Sequence, residues 1–512
     1  MVKPLISTVA LALVITQIFI EDSLVVIMCK LLLSSNLPLY LCPSSPYWQV
    51  MSTTLLPPAQ WAQLEFGSVE LGDRRRTDRL VAMATDLAQN PGGTLPQAFD
   101  SWAELKAAYR FLDQPKNGRE EISAAHWQRT RAACSGPAEY LLIEDTTELD
   151  YTGGVGREDL GTIGDGRGRG LLLHTTLAVK VESWDLEQRP EGVVLGVFGQ
   201  QCWNRRADPK RKQETRAQLL RRARESQRWA AVLEQTGGPP PGCRWIYIAD
   251  RESDFYEPIE RCQRHGVDFV IRACQEHRLV GQLPYLSQAL QAAAVCGQME
   301  VELRSRPGQG ARTAKVQVRT AAVIYKGPYR PGGYRPDLPL NVIEVREKDA
   351  PEGSEPLHWI LLTSLSCKRW VEVQRVIGYY TARWWVEEYH KALKSGAQVE
   401  ESQLQRAYRL ESLIAILAIV ALRLLNAKHL ARARPDERVD VKAFGKEALD
   451  LLAQRFGQPK GGWTQRELIR AMARLGGFIG RRSDGEPGWQ TIWRGWHRLM
   501  YMVQGAELIL AR

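Results

Sequence analysis

No zinc-finger or disulfide framework is written into this chain. Its nine cysteines are scattered from Cys29 to Cys367, none as a C-x-x-C pair, and no histidine lies at zinc-finger spacing. An odd number of cysteines in so long a chain argues against a disulfide scaffold and for reduced thiols in the cytosol. No Ser, His or Cys arrangement for nucleophilic catalysis is visible, and no internal repeat points to a stacked-repeat architecture. With 44% hydrophobic and 25% charged residues, the composition is neither that of a disordered chain nor that of a polytopic membrane protein.

The 512 residues suffice for two to four domains with a sizeable core. Lys+Arg 68 against Asp+Glu 58 gives a net charge of +10. Such an excess favours a polyanionic partner, because Lys and Arg displace counterions from phosphates. Many basic proteins bind no nucleic acid, so the charge sets a direction and not a function. The first fifty residues differ from the rest. Leu5 to Ile20 is almost wholly apolar behind Lys3, and Leu24 to Leu33 is a second apolar run. This resembles a signal-peptide core or a marginal anchor, but no small-x-small cleavage site follows. From Met51 the pattern becomes that of a soluble domain. The expectation is that translation starts at Met51, that 1–50 is an over-extended frame, and that the protein is cytoplasmic.

Beyond Met51 the periodicity is informative. Leu80, Met83, Ala84 and Leu87 form one helical stripe, ended by Asn90-Pro91-Gly92-Gly93, and a second helix spans Ser101 to Leu112. Arg74, Arg75 and Arg76 stand near a helix start, where a solvated face is the plain alternative to a DNA contact. From Tyr140 short apolar strands alternate with helices in the order β-β-β-α-β-α-β, with a Gly-rich stretch from Gly153 to Gly170 read as a mobile loop and a helix from Glu214 to Glu234. The fold class is α/β, a mixed sheet flanked by helices. Between Arg278 and Leu357 alternation by two returns, in an all-β insertion rich in Arg and Lys. One more strand follows, then a long helix from Trp370 to Ser395. The apolar segment Leu413 to Leu425 is too short for a confident membrane span and reads as a core or dimer helix.

Three places put carboxylates where a metal could sit. Asp145 follows the apolar strand "YLLIE" and Asp250 follows "WIYIA". An acid at a strand end lies on rigid backbone at the sheet edge, although a single such Asp is more often a turn or cap residue. The third place is "YYTARWWVEEYHKALKSG". At about 100° per residue, Tyr380, Arg383, Glu387, Lys391 and Lys394 fall within roughly a quarter of the helix circumference. A salt-bridged solvent face explains the charges but not Trp384 and Trp385 among them. A stripe of cations with one acid suits phosphate, the cations clamping the backbone and the acid holding a metal. Phosphodiester hydrolysis needs an activated oxygen nucleophile and a neutralised leaving oxygen, which two divalent ions about 3.5–4 Å apart supply. Magnesium takes oxygen ligands, so three carboxylates suffice when the substrate provides the rest.

At these residues the chain resembles the DDE transposases of bacterial insertion sequences, in the branch with the signature Y-x2-R-x3-E-x6-K. Tyr380, Arg383, Glu387 and Lys394 fit that spacing, "IEDTT" with Asp145 is similar to the first acidic motif, and "ADRESD" with Asp250 to the second. "LGDRRRTDRL", "AAYRFL", "ARLGGF" and "GWQTIWRGW" are similar to the flanking domains, so the likeness runs from Met51 to about the C-terminus. The resemblance implies an RNase H-like core, with Asp145, Asp250 and Glu387 as the catalytic, metal-binding triad for two Mg2+ ions, Mn2+ being able to substitute. It implies cut-and-paste endonuclease and strand-transfer chemistry through a hairpin intermediate. Tyr380, Arg383, Lys391 and Lys394 would hold phosphates. Trp359 would stack an extruded base, Arg272 would support it, and Trp384 is a second stacking candidate. DNA, both element ends and target, would be the partner, bound by a homodimer in a paired-end complex with no membrane partner. The implied organisation is a helical DNA-binding domain over 51–125, the core over 126–276 and 358–430, the β-rich insertion over 277–357, and a helical dimerisation domain over 431–512. The competing readings are a related nuclease such as a resolvase, a catalytically inactive DNA-binding or dimerisation protein or inhibitor, and an exported protein. The insertion and the Tyr-Arg-Glu-Lys stripe oppose the first, intact acids the second, and a start at Met51 the third.

Overall fold

In a computed structural model of the chain, residues 56–510 are described, apart from 154–156, 158, 206–224, 276–284, 305–309, 434, 440 and 482–483. The apolar runs Leu5 to Ile20 and Leu24 to Leu33 therefore lie outside the described residues, as does part of the helix expected from Glu214 to Glu234. Four longer helices come first, with a single helical turn at Leu95–Ala98 between the second and third: α1 (Pro58–Phe66), α2 (Arg74–Gln89), α3 (Trp102–Leu112) and α4 (Arg119–Ala133). The Asp73 carboxylate caps α2 by accepting from the Arg75 N–H, and the Ser101 hydroxyl caps α3 by accepting from the Glu104 N–H. The stripe Leu80, Met83, Ala84 and Leu87 is buried, as its spacing requires.

The sheet begins with β1 (Glu139–Asp150), β2 (Gly161–Ile163), β3 (Gly168–Trp184) and β4 (Pro190–Trp203). The Gly-rich stretch is thus not simply a loop. It carries β2 and the start of β3, with Gly164 and Gly166 at φ +57 and +91 making the turn that only glycine enters readily. β5 (Arg244–Ala249), helix α5 (Tyr256–Arg264) and β6 (Asp268–Arg272) form a parallel crossover unit. Then come β7 (Val295–Leu303), β8 (Arg312–Tyr325), a small hairpin β9 (Tyr329–Arg330) and β10 (Gly333–Tyr334), β11 (Leu338–Glu347) and β12 (His358–Thr363). The strand order is β2-β3-β1-β5-β6-β12-β11-β8-β7, with β4 on β3. The β-rich stretch after residue 277 therefore continues the core sheet instead of forming a sheet of its own. This is an RNase H-like mixed sheet, parallel at its centre and antiparallel on both flanks.

Side chains alternate across each strand. Leu141, Ile143, Ile246 and Ile248 enter one core, whereas Tyr140, Leu142, Trp245 and Tyr247 enter the other on the opposite face. Each large side chain so buried contributes about 1.5–3 kcal/mol. The first face is covered by α6 (Trp370–Thr381), α7 (Trp384–Lys391) and α8 (Ala407–Ala433). The single helix expected from Trp370 to Ser395 is broken at Ala382 and Arg383, and its end, Ala392–Gly396, is a wider turn. Gly378 is needed on α6 because a Cβ there would stand 2.1 Å from the Gln188 carbonyl oxygen in the β3–β4 turn. The apolar part of α8 is long enough to cross a membrane, but 94% of that window is buried in the protein, so it is a core helix. α9 (Lys446–Phe456), α10 (Gln465–Leu475) and α11 (Trp489–Leu510) complete the chain. Arg423 of α8 lies between the rings of Trp61 on α1 and Trp496 on α11, 5.1 Å from each centroid, and its guanidinium donates to the Leu56 carbonyl.

Asp86 of α2 supplies a test of this packing. Burial first, then Glu104 and Asp100, push its carboxyl up to about 7. The folded chain keeps the proton to a higher pH than the unfolded chain, so this group's support is complete at low pH and lost as pH rises through about 7. Asp86→Asn should raise the melting temperature at about pH 8, by the equivalent of roughly 1–2 kcal/mol, and match the parent at about pH 4. Equal melting temperatures at both pH values would show that the carboxyl is solvated.

Candidate active site

The register of two strands decides where the first acids stand. β1 and β5 run parallel with Ile143 opposite Ile248. Two residues beyond that last pair stand Asp145, on the face of Ile143, and Asp250, just past the end of β5. Asp145 lies inside β1, not after it as expected. The strand runs on to Asp150 because β3 still pairs with it, Asp145 facing Thr175, after β5 has stopped. Asp250 leaves β5 as the cap of the turn Arg251–Ser253, its Oδ1 accepting from the Arg251 N–H at 2.8 Å.

The broken helix brings the remaining groups to the same place. Tyr380 Oη donates to Asp250 Oδ1 at 3.1 Å. The Arg383 guanidinium stands 3.6 Å from Asp250 Oδ2, is hydrogen-bonded to Glu387, and also acts on Asp145. Burial works against the Arg383 charge, but Asp250, Tyr380, Glu387 and Asp145 outweigh it and raise its pKa above the ordinary value. Burial also opposes the charge on Asp145, yet His390 and Arg383 prevail and hold its pKa low. Burial, then Asp250, pushes the Tyr380 phenol up to about 12, so it stays a proton donor. Arg272 Nη1 is 3.9 Å from Asp250 Oδ1, and its Nη2 donates to the His358 carbonyl at 3.3 Å. Trp359, only 8% exposed, meets Tyr380 edge-on with ring centroids 5.0 Å apart. Asp250, Arg272, Trp359, Tyr380, Arg383 and Glu387 all line one cleft of about 870 Å³.

Other expected residues stand apart from the acids. Lys394 turns to Glu400 at 3.3 Å, and Lys391 is exposed on the last turn of α7. The helix break and the wider turn after α7 split the stripe that regular winding predicts. Trp384 lines the cleft, with the Arg304 guanidinium 4.5 Å from its ring centroid. On the first turn of α2, Arg74 pairs with Asp78 at 2.9 Å and Arg75 with Asp73 at 2.9 Å, while Arg76 Nη1 donates to the Leu71 carbonyl at 3.2 Å.

Two groups escaped the sequence reading. His390 is buried, with Nδ1 3.7 Å from Asp145 Oδ2 and Nε2 3.3 Å from Thr175 Oγ1. Its position three residues after Glu387, on the same helix face, was the available signal. Glu252, in the turn after Asp250, is a fourth acid here. Its side chain is exposed, and partial desolvation, then Asp145 and Asp250, raise its pKa. Among the described residues no three acid, imidazole or thiol groups stand close enough to enclose an ion. The fit to a divalent metal lies in the donor set: Asp145, Asp250 and Glu387 offer only hard oxygen ligands and gather round one positive group.

Residues 58–117 match the transposase DNA-binding family, 217–423 the transposase DDE domain, and 420–511 the transposase Tn5 dimerisation domain. The chain belongs to the DDE transposases. A DDE domain carries nuclease and strand-transfer activity and depends on divalent metal, and the flanking matches add DNA binding and homodimer formation. In this transposase the matched DDE domain takes in Asp250 and Glu387 but starts after Asp145, which reaches the site through the β1–β5 pairing.

If Arg383 is the counter-charge of the acids, Arg383→Gln should lower the melting temperature in EDTA. Added Mn2+ should then restore more of it than Mn2+ adds to the parent, since the acids repel once the guanidinium is gone. Equal responses to Mn2+ in thermal unfolding would remove this role.

Proposed function

We propose that this transposase cuts and pastes its own DNA element, with Asp145, Asp250 and Glu387 as ligands for two Mg2+ ions and Mn2+ able to substitute. The meeting of Asp250 and Glu387 on the Arg383 guanidinium at the cleft, with the Asp145 pKa held low by His390 and by the same guanidinium, carries this reading. Bound metal would supply activation of the attacking oxygen and neutralisation of the leaving oxygen. The chain's own groups supply the rest. Arg272 and Arg383 offer fixed cations to the scissile phosphate, and the Tyr380 hydroxyl, kept protonated, holds Asp250 in place and can donate to a phosphate oxygen. Lys391 and Lys394 extend the cationic path along the backbone of the DNA, and Arg74, Arg75 and Arg76 contact the element end from α2.

Water nicks the element end, and the freed 3′-OH attacks the opposite strand to form a hairpin. Water reopens the hairpin, and the 3′-OH then attacks target DNA. A hairpin forces a base out of the stack, and an aromatic face beside the cleft can receive it. Trp359, on β12 and next to Tyr380, would receive it, with Trp384 as a second platform. The C-terminal helices would pair two ends in a homodimer, and the reaction takes place on DNA in the cytoplasm.

Asp145→Ala, Asp250→Ala and Glu387→Ala should each abolish cleavage of a duplex carrying the element's terminal repeat. End binding in a gel-shift assay should change by less than about threefold, because phosphate and base contacts carry affinity. Cleavage retained by any of the three removes that residue from the site. Trp359→Ala should slow hairpin formation at least about tenfold more than first-strand nicking, since stacking is worth about 1–3 kcal/mol. Equal slowing of both steps in a gel assay would end the base-receiving role.

A further inference from the structure

A second carboxylate lies directly beneath the first. Glu144 precedes Asp145 on β1, so its side chain points to the opposite face, away from the cleft, where it is completely buried. It accepts from Thr176 Oγ1 at 2.8 Å, from the Ala230 N–H at 2.7 Å and from Tyr247 Oη at 2.8 Å, and lies 3.2 Å from His174 Nε2. His174 Nδ1 in turn meets Thr146 Oγ1 at 2.9 Å, and its ring meets Trp229 edge-on. Tyr247 Oη also bonds to Ser253 Oγ at 3.1 Å. Ser253 is buried and ends the turn that Asp250 caps.

One carboxylate therefore joins β1, β3 and β5 and reaches the turn after Asp250. That turn needs an anchor, because the ladder gives it none. The β1–β5 pairing stops at Ile143 and Ile248, and the β5–β6 pairing at Ala249 and Ile271. Glu144 also holds Ala230 at φ +54, a left-handed conformation costly for a residue with a Cβ. A buried carboxylate is an expensive brace, and a well-packed apolar side chain would serve a purely structural role at no loss.

We infer that Glu144 is a positioning residue. Through Tyr247 and Ser253, and through its own place on β1, it fixes the Asp145 and Asp250 carboxylates for a divalent ion. Groups that orient ligands in this way typically change metal affinity by about 10–100-fold when removed. This inference rests on the assignment of Asp145 and Asp250 as ligands.

The test is Mn2+ titration of the full-length protein on a duplex copied from its element's terminal repeat, with free Mn2+ read by electron paramagnetic resonance. Tyr247→Phe is the mild variant, since it removes the Tyr247 hydroxyl that bonds both Glu144 and Ser253 and leaves Thr176, Ala230 and His174 as partners of Glu144. Glu144→Gln is the stronger one. Both should weaken Mn2+ binding, Glu144→Gln by about tenfold or more, with end binding in EDTA unchanged. Mn2+ binding equal to the parent's in both variants, with only the melting temperature lowered, overturns the inference and leaves Glu144 a structural brace. Asp250→Asn is the control: if it too binds Mn2+ like the parent, the ligand assignment itself has failed.

Discussion

Like charges do not gather without a reason, and the architecture of this protein is organised around making them do so. Two carboxylates about 4 Å apart repel by about 4 kcal/mol in the effective dielectric of a protein surface. Here Asp250 and Glu387 both contact Arg383, and Asp145 lies within reach of its charge and of His390. A single guanidinium thus offsets the repulsion among the acids. The arginine is a counter-charge that the chain carries with it.

Each acid arrives by a different structural route. Asp145 is fixed by β3 on one side, Asp250 by a turn that starts where β5 stops, and Glu387 by a short helix that begins after a break. Tyr380 on α6 contacts Asp250, and Arg383, in the break, meets both Asp250 and Glu387. Gly378 matters because it lets α6 press against the β3–β4 turn. Outside the site, α8 is the common scaffold. Its Arg423 touches the first helix of the DNA-binding region and the last helix of the dimerisation region at once, so both are packed on the element that also backs the active site.

Much of this was legible in the sequence, for reasons that particular residues show. Short apolar runs marked β1, β5 and β12, alternation by two marked β7, β8 and β11, and a break in apolar character marked Asp145 and Asp250. The spacing of Tyr380, Arg383 and Glu387 marked one helix face. Three things were not legible. Strand register is a property of pairs, so nothing local says that Ile143 pairs with Ile248, two residues before each acid, or that β12 extends the same sheet. The pattern "IED" offers two neighbouring acids, and only the face each one meets separates Glu144, buried beneath the sheet, from Asp145 beside the cleft. Lys394 stayed on the stripe only if regular winding ran on past Lys391, and nothing local announced either the wider turn at Ala392–Gly396 or the break at Ala382 and Arg383.

The central claim is that Asp145, Asp250 and Glu387 bind metal together, in the space that Arg383 neutralises. Anomalous diffraction from crystals of the protein with its terminal-repeat duplex, grown in Mn2+, tests it most directly. The account predicts anomalous peaks within about 2–2.5 Å of oxygens from all three carboxylates, with the Arg383 guanidinium withdrawn from Asp250 towards a DNA phosphate. Well-defined Mn2+ peaks that touch neither Asp145 nor Asp250, with Arg383 still lodged between the acids and DNA in the cleft, would contradict it.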